Sequence, residues 1–381
     1  MDDVVICGAG PAGCVAAVVL ARAGVRVRLL DRAAFPRNKL CGDTVNPGTL
    51  AVLDRLGLAG PVHASGLRVD GMRLTGPHGA AVEGRYPGGL CGRALLRRDL
   101  DWMLLKAAAA AGAAVDERIA VRGPMVDFTH GDREVRGVRA GSDGTAREIR
   151  ARVTIAADGR HSTIAFALGA ARHPAMPRRW AIGAYFQDVA GLSSLGEMHV
   201  RGGGYLGIAP VPGGLANVCL VTPHGPADPP LRDPASALDQ AIAADARLRD
   251  RFARARRVQP PIMVGPLAVD RCGPLPDGCL VAGDAAGFID PITGDGLRFA
   301  VRGGELAAAA ALDALAHGWA GVQARHEAAR TREFGGKWRF NRCLRAVVSS
   351  APAVRAAASM APFAPFAIRA IIRTAGDVAR A

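Results

Sequence analysis

The feature that most constrains this chain is the glycine motif GAGPAG at Gly8–Gly13, which separates a short apolar run from a helix-like stretch. The apolar run is typical of a buried parallel strand, and the stretch that follows has the composition of a helix ending at a glycine. In such a unit Gly8 allows a tight turn, Gly10 lets the backbone approach a pyrophosphate, and Gly13 lets the helix lie close to the strand. The motif therefore predicts that the helix N-terminus binds the phosphates of a dinucleotide.

A second apolar run, residues 25–30, predicts the next parallel strand and ends at Asp31. Asp31 lies close to the spacing of about 20 residues at which an acidic side chain accepts hydrogen bonds from an adenosine ribose. Strand, glycine turn, helix, second strand and acid thus complete one βαβ unit.

Two further motifs distinguish FAD from a nicotinamide dinucleotide. The motif ADGRHS at residues 157–162 and the motif GDAAGFIDPITGDG at residues 283–296 each follow an apolar strand. They place polar groups at the carboxyl ends of strands, where open α/β sheets bind ligands. Asp284 is expected to hold a ribityl hydroxyl. The helix that begins near Leu297 is expected to stabilise negative charge on a reduced flavin.

With these motifs the chain resembles the FAD-dependent oxidoreductases of the para-hydroxybenzoate hydroxylase fold. The resemblance implies an α/β fold with a Rossmann-like parallel sheet, a smaller α+β substrate domain with a mostly antiparallel sheet, and a helical C-terminal tail. Arg97 resembles the arginine that begins a helix beside the flavin, and a solvated helix cap is the alternative interpretation. The residues expected to bind FAD are Gly8, Gly10, Pro11, Ala12, Gly13, Asp31, Arg32, Arg37, Lys39, Cys41, Arg97, Asp158, Gly159, Gly283, Asp284, Pro291, Gly294, Gly296 and Leu297.

Within that superfamily, the segment PRNKLCGD at residues 36–43 is similar to the geranylgeranyl reductase branch. Arg37 and Lys39 are expected to meet the FAD pyrophosphate or a substrate phosphate through charge-assisted hydrogen bonds. Cys41 is expected to line the isoalloxazine pocket and is a candidate catalytic residue. The alternative is a small apolar packing residue, as buried free cysteines usually are.

The same branch carries a Tyr-x-Trp-x-Phe-Pro motif, from which this chain departs. Tyr205 and Pro210 are kept, whereas Gly207 and Ala209 replace the two bulky aromatic residues. The loss leaves room for an aromatic, polyketide or quinone-like ligand instead of a geranylgeranyl chain. Tyr205 is the second candidate catalytic residue, and a half-buried strand tyrosine is its alternative interpretation. The chain resembles flavin-dependent halogenases less, because it lacks their tryptophan pair and their lysine.

The motifs also predict the domain organisation, in which the FAD-binding domain is discontinuous. Alternating, β-branched segments between its parts predict the substrate sheet. The tail is either an amphipathic lid in weak contact with a membrane or a set of helices packed on the FAD-binding domain. The expected boundaries are 1–70, 91–180 and 258–325 for the FAD-binding domain, 71–90 and 181–257 for the substrate domain, and 326–381 for the tail.

Composition excludes several other classes. The formal charge of +14 comes almost wholly from arginine, because only three lysines occur, and no nucleic-acid module is recognisable, so we expect no nucleic-acid partner. The eight cysteines and nine histidines are scattered without metal-ligand spacing, so no metal is expected. The chain starts almost directly on its first strand and has no long apolar run, which predicts a cytoplasmic protein. The oligomeric state stays open.

Two reactions on a hydrophobic small molecule are compatible with these residues. In the first, NAD(P)H reduces the FAD, which then transfers hydride to a C=C bond of a prenyl, quinone or polyketide-like substrate. In the second, an FAD-dependent monooxygenase hydroxylates or epoxidises an aromatic or polyketide-like substrate. A non-catalytic flavin-binding protein is a third hypothesis, disfavoured by the intact flavin motifs.

Overall fold

The structure is a computed structural model that describes residues 2–129, 132–141, 145–176, 178–225, 227–228, 231–361 and 363–378 of the 381-residue chain. The strands are β1 (Asp2–Cys7), β2 (Val27–Leu30), β3 (Thr44–Val45), β4 (Leu67–Val69), β5 (Gly71–Thr75), β6 (Ala81–Arg85), β7 (Gly92–Ala94), β8 (Ala114–Asp116), β9 (Ala120–Thr129), β10 (Asp132–Gly141), β11 (Arg147–Ala156), β12 (Ala171–Arg172), β13 (Trp180–Gln187), β14 (Leu195–Arg201), β15 (Gly204–Val211), β16 (Leu215–Thr222), β17 (Arg256–Arg257), β18 (Ile262–Val264), β19 (Asp270–Arg271) and β20 (Cys279–Val281). The helices are α1 (Pro11–Arg22), α2 (Pro47–Arg55), α3 (Gly60–Ser65), α4 (Arg97–Ala110), α5 (Thr163–Ala167), α6 (Pro234–Ala244), α7 (Ala246–Arg249), α8 (Gly296–His317), α9 (Val322–Ser349), α10 (Ala351–Met360) and α11 (Pro365–Ala375).

The glycine motif follows a central strand of a sheet whose parallel part runs in the order β8, β2, β1, β11 and β20, while β10 and β9 extend it in the antiparallel sense. Cys7 lies opposite both Leu30 and Ala156, and Ala156 lies opposite Val281. Four parallel strands therefore end at the same level, and the loops that follow them share one edge of the sheet.

Helix α1 packs between this sheet and helices α4 and α8, and nearly all of its side chains are buried. Its contacts are close enough to exclude any side chain at two glycines. A Cβ on Gly13 would lie 1.9 Å from the carbonyl oxygen of Gly8, and a Cβ on Gly304 of α8 would lie 2.2 Å from that of Ala12. The glycines thus set the distance between the helix and its neighbours.

The second large sheet runs in the order β17, β13, β16, β15, β14, β5 and β6, with β18 also paired to β13. All of its pairings are antiparallel except that of β14 with β5. One face packs on α6 and α7 through Ile182, Phe186 and Leu238, and the other turns Ala181 and Tyr205 toward the first sheet. A ligand chamber lies on that second side.

The tail consists of α9, α10 and α11. Helix α9 packs on α8, α10 contacts β14, and α11 packs on β6. The expected fold, with a parallel Rossmann-like sheet, a mostly antiparallel substrate sheet and a helical tail, is confirmed. Of the two interpretations of the tail, packing on the rest of the protein describes α9 and the inner side of α11.

Candidate functional site

Four loops meet at the carboxyl edge of the parallel sheet. Gly8 and Asp31 directly follow β1 and β2, and Asp158 and Gly283 lie just beyond β11 and β20. The Asp31 carboxylate accepts a hydrogen bond from the backbone N–H of Ala9 at 2.9 Å. This acid therefore fixes the glycine loop at the position where the sequence predicts a ribose.

The N-terminus of α1 faces open space at this edge. No side chain caps the helix at Gly10, so its first backbone N–H groups are free to bind a ligand. Among the described residues, the nearest neighbour of a Cβ built on Gly10 would be a guanidinium nitrogen of Arg37, at 3.9 Å. Free N–H groups at a helix terminus with open space in front of them suit a diphosphate.

Three basic side chains surround this end of the site. Arg37 is held by Asp101 at 3.1 Å and lies 3.7 Å from Asp31. Burial, helped by the nearby charge of Arg97, lowers the pKa of Lys39 to about 8. Arg160 lies 4.0 Å from Asp284, and one of its terminal nitrogens is buried without a hydrogen-bond partner among the described residues. An unpaired buried guanidinium nitrogen is costly unless an anionic or polar ligand binds it.

Asp158 behaves in a similar way on the next loop. One carboxylate oxygen accepts a hydrogen bond from the backbone N–H of Thr163 at 2.7 Å, whereas the other is buried and has no partner in the described part of the chain. Burial raises the pKa of this carboxyl group. The free helix terminus, the space at Gly10 and the unpartnered atoms of Arg160 and Asp158 fit the diphosphate and ribityl parts of FAD.

Arg97 is the first residue of α4 and is buried, so it is not a solvated cap. Its guanidinium donates two hydrogen bonds to Asp101, at 2.9 and 3.0 Å. Its backbone N–H donates to Asp43 at 3.1 Å. Arg97 therefore connects the basic end of the site to the PRNKLCGD segment.

Asp43 is the centre of a buried hydrogen-bond network. Its carboxylate accepts hydrogen bonds from the Tyr185 hydroxyl at 2.5 Å and the Asn217 side-chain amide at 2.6 Å. Asn217 also donates to the carbonyl oxygen of Cys41 at 2.6 Å. Burial raises the pKa of Asp43 to about 6. The residue has a φ of 52°, a conformation that a non-glycine residue adopts only when its surroundings hold it there.

Cys41 lines the cavity that continues from the α1 terminus. Burial raises the pKa of its thiol, although the adjacent Arg97 guanidinium works in the opposite direction. The thiol of Cys219 approaches from β16 and donates to the Cys41 carbonyl oxygen at 3.4 Å. Both cysteines are free, and Cys41 keeps its proton at neutral pH.

Tyr205 turns its ring into the same cavity but commits its hydroxyl elsewhere. The hydroxyl donates to Asp290 at 2.6 Å, and Asp290 also pairs with Arg179 at 3.2 Å and accepts from the Ile292 backbone N–H at 3.1 Å. Desolvation raises the pKa of Tyr205 well above its ordinary value. This contact ties the substrate sheet to the loop that runs from Asp290 to Gly294.

That loop leads into α8, whose N-terminus also lacks a side-chain cap. Asp295, just before the helix, is buried and pairs with the Lys337 ammonium group of α9 at 2.9 Å. Lys337 also donates to the carbonyl oxygens of Thr374 and Ala375 at the end of α11. One buried cation thus joins the predicted flavin loop to two helices of the tail.

Beyond Cys41 the cavity becomes an apolar chamber with a volume of about 280 Å³ for the whole space. The residues at Gly207 and Ala209, where this chain lacks the aromatic side chains of the related branch, line it. The chamber wall combines the substrate sheet with the tail, through Met72, Leu74, Met198, Val200, Leu344, Val348, Ile371 and Ile372.

The structure brings most of the predicted site residues to this one cavity. Arg32 is exposed, while Gly8, Gly13, Asp31, Arg37 and Asp158 support the cavity from just behind its lining. The predicted residues that line it are Gly10, Pro11, Ala12, Lys39, Cys41, Arg97, Gly159, Tyr205, Gly283, Asp284, Pro291, Gly294, Gly296 and Leu297.

Sequence reasoning missed several residues of the site. Arg160 and Asp43 lie inside motifs that it singled out, and their charge was the available signal. Asn46 carries no such signal, yet its side chain caps α2 and donates to Ala375 at 3.2 Å. Asn217 and Lys337 reach the site from distant segments, so no local pattern marks them.

Comparison with known proteins supports the same assignment of the loops. The family model described as an FAD binding domain matches residues 1–333. The menaquinone reductase of Mycobacterium tuberculosis strain H37Rv is 34% identical over 324 residues, which cover 80% of this chain and 75% of that protein. Digeranylgeranylglycerophospholipid reductase 2 of Methanopyrus kandleri is 30% identical over 325 residues, which cover 82% and 77%.

A solved flavin-dependent brominase superposes with a TM-score of 0.83 at 20% identity, over 98% of this chain and 93% of that one. At that identity the similarity shows a shared fold alone. In the described part of the chain, no helix combines the length and apolarity needed to cross a bilayer.

Proposed function

Because the chain belongs to the FAD binding domain family and is an FAD-dependent oxidoreductase, we propose that it reduces a C=C bond of a hydrophobic prenyl, quinone or polyketide-like substrate, with NAD(P)H as the electron donor. The observation that carries this proposal is the continuity of one cavity. Its glycine-lined end fits FAD, and its other end is an apolar chamber. Two relatives that match about four-fifths of the chain are named as reductases, which supports reduction over oxygenation.

When bound, FAD supplies the hydride for such a reduction. The residues of the chain then have to deliver a proton to the neighbouring carbon and keep water away. Cys41 is our candidate for the proton donor, because its raised pKa keeps the proton on Sγ and the residue lines the cavity. Asp43 and Asn217 act through Cys41 and position its backbone.

Tyr205 has a different proposed part. Since its hydroxyl is bound to Asp290, the ring is the portion that meets a substrate. The apolar side chains of the substrate sheet and the tail exclude water from the chamber. Arg37, Lys39 and Arg160 are assigned to the FAD diphosphate. A cytoplasmic location stays a prediction.

The test is an anaerobic reaction followed by mass analysis of the product. The purified protein is expected to be yellow, and NADPH or NADH is expected to bleach the flavin. A menaquinone-type substrate should gain two hydrogens. Oxygen from labelled dioxygen in the product of a phenolic substrate would instead establish a monooxygenase, and a colourless wild type would contradict both.

A cysteine pair tests the proton donor. Cys41→Ser should slow product formation while the flavin is still reduced by the nicotinamide, because only the later step needs this proton. Cys343→Ser is the matched control, since Cys343 is exposed. Equal product formation by the two variants would remove Cys41 from the reaction.

A further inference from the structure

The connection between α10 and α11 exposes three large apolar side chains. Met360 is 60% exposed, Phe363 is 81% exposed, and Phe366, in the first turn of α11, is 73% exposed. Contiguous exposed apolar groups of this size mark an interaction surface rather than ordinary solvent-facing positions. We call these three residues the apolar tip.

The charge around the apolar tip is positive. Arg355, Arg369 and Arg373 are exposed on α10 and α11. The acid of this segment, Asp377, is buried and paired with Arg298 at 2.7 Å. Glu83, whose carbonyl oxygen accepts a hydrogen bond from Arg369, has its own carboxylate paired with Arg73. Three arginines therefore surround the tip without a neighbouring free carboxylate in the described part of α10 and α11.

The opposite side of α11 belongs to the ligand chamber. Ile371, Ile372 and Ala375 line that chamber, and Ile372 is buried against Gly84 of β6. One helix thus separates the chamber from the apolar tip. A molecule that left a lipid phase at the tip would reach the chamber by passing only this helix.

From these observations we infer that the apolar tip docks on an anionic lipid bilayer, with Met360, Phe363 and Phe366 among the acyl chains and the three arginines at the lipid phosphates. This inference rests on the proposed function, since a hydrophobic substrate dissolved in the bilayer would then enter the chamber beside α11. A second copy of the chain fits less well. A two-fold interface places the same surface on both sides, and arginines would face arginines.

Flotation of the full-length, FAD-loaded protein tests the docking surface. Binding is expected to vesicles of phosphatidylglycerol and phosphatidylcholine, and it should weaken with salt and with phosphatidylcholine alone. The double variant Phe363→Ser, Phe366→Ser should bind these vesicles at least about tenfold more weakly, because two apolar side chains are lost from the lipid phase. Phe128→Ser is the matched control, since Phe128 on β9 is 75% exposed and distant in sequence from the tail.

Two further measurements keep the result unambiguous. Phe366→Trp should show a blue-shifted emission and quenching by brominated lipids, whereas Phe128→Trp should not. Equal vesicle binding by the double variant and the Phe128→Ser control would overturn the inference, as would a dimer that the double variant dissociates. Reduction of the short, water-soluble quinone menadione reports on the proposed function separately. A variant that reduces menadione normally but loses activity only on vesicle-embedded menaquinone is the expected outcome.

Discussion

The two ends of the ligand cavity are built in different ways. At the cofactor end, backbone groups and glycines of a few short motifs form the walls, and the parallel strands bring those motifs to one edge. At the substrate end, side chains from the second sheet and from the tail form the walls. The contact between Asn46 and Asp295 alone joins residues that are 249 positions apart.

The difference shows which properties of this molecule are local in sequence. Backbone geometry at Gly8–Gly13 follows from residue types within that motif, because only glycine tolerates the close contacts found there. The shape of the chamber depends instead on how α9 and α11 pack, and on charges that hold them in place. The first kind of wall should resist most distant changes, and the second kind should not.

The largest effect is expected from Lys337→Met, which breaks the substrate end. The substitution leaves the buried Asp295 carboxylate without its cation, and removal of one partner of a buried ion pair costs about 3–5 kcal/mol of unfolding free energy. Urea denaturation measures the loss. Lys106→Met is the control, because Lys106 is exposed above the Trp102 ring. Similar losses in both variants would show that the ion pair does not hold the tail.

Gly10→Ala tests the cofactor end without disturbing the fold. The added methyl group has free space in the protein but would enter the region assigned to the diphosphate. FAD binding should weaken by about 2 kcal/mol, the cost of a lost hydrogen bond to a charged group, with no change in the stability of the apoprotein. Titration by flavin fluorescence measures the affinity. Gly60→Ala, where nothing lies within 4 Å of the new Cβ, should bind FAD as the wild type does.

Asp43 lies between the two ends, and its titration gives a pH-dependent prediction. Its pKa is raised from 3.8 to about 6 in the folded protein, so the folded state binds this proton more tightly than the unfolded chain. The resulting stabilisation is present below about pH 4 and is lost as the pH rises through about 6. Between about pH 5 and pH 8, the wild type should therefore lose about 1–2 kcal/mol more unfolding free energy than Asp43→Asn.

Asparagine is the suitable replacement because it tolerates the left-handed backbone that Asp43 adopts. Urea denaturation at the two pH values gives the difference directly. Parallel pH dependence in the two proteins would mean that Asp43 titrates near its ordinary pKa.

The smallest effect is expected from Gly207→Ala at the chamber wall. A Cβ at this position would meet its nearest neighbours at 3.8–3.9 Å, so the methyl group fits without strain and takes space from the chamber. We expect kcat/KM for a bulky substrate to fall by about 1 kcal/mol relative to a small one, the usual discrimination per methyl group. The rate on menadione serves as the internal control, and an unchanged ratio would place the substrate elsewhere.

The sequence predicts the fold and the loops of the cofactor end because each rests on a contiguous motif. Asp31, Asp158 and Asp284 follow directly from strand ends, and the structure places their loops together. Arg32 was expected at the same site on the strength of its neighbour Asp31, yet it is exposed. The expected domain boundaries stay a prediction.

Contacts across the chain explain what the sequence could not provide. Lys337 looks like one more basic residue of a helix, and its burial against Asp295 depends on how the tail packs. Asn217 and Tyr185 belong to strands whose register brings them to Asp43. The alternation of a strand shows which residues share a face, but not which distant carboxylate that face will meet.

The junction of α8, α9 and α11 at Lys337 has an evolutionary consequence. The match to the FAD binding domain ends at residue 333, whereas the cavity is closed by Leu344, Val348 and Ile371 beyond that point. Exchange of one contiguous C-terminal segment between paralogues would therefore replace a wall of the chamber and leave every cofactor loop untouched. Descendants of one flavoprotein can diverge in substrate range by this route while keeping their coenzyme.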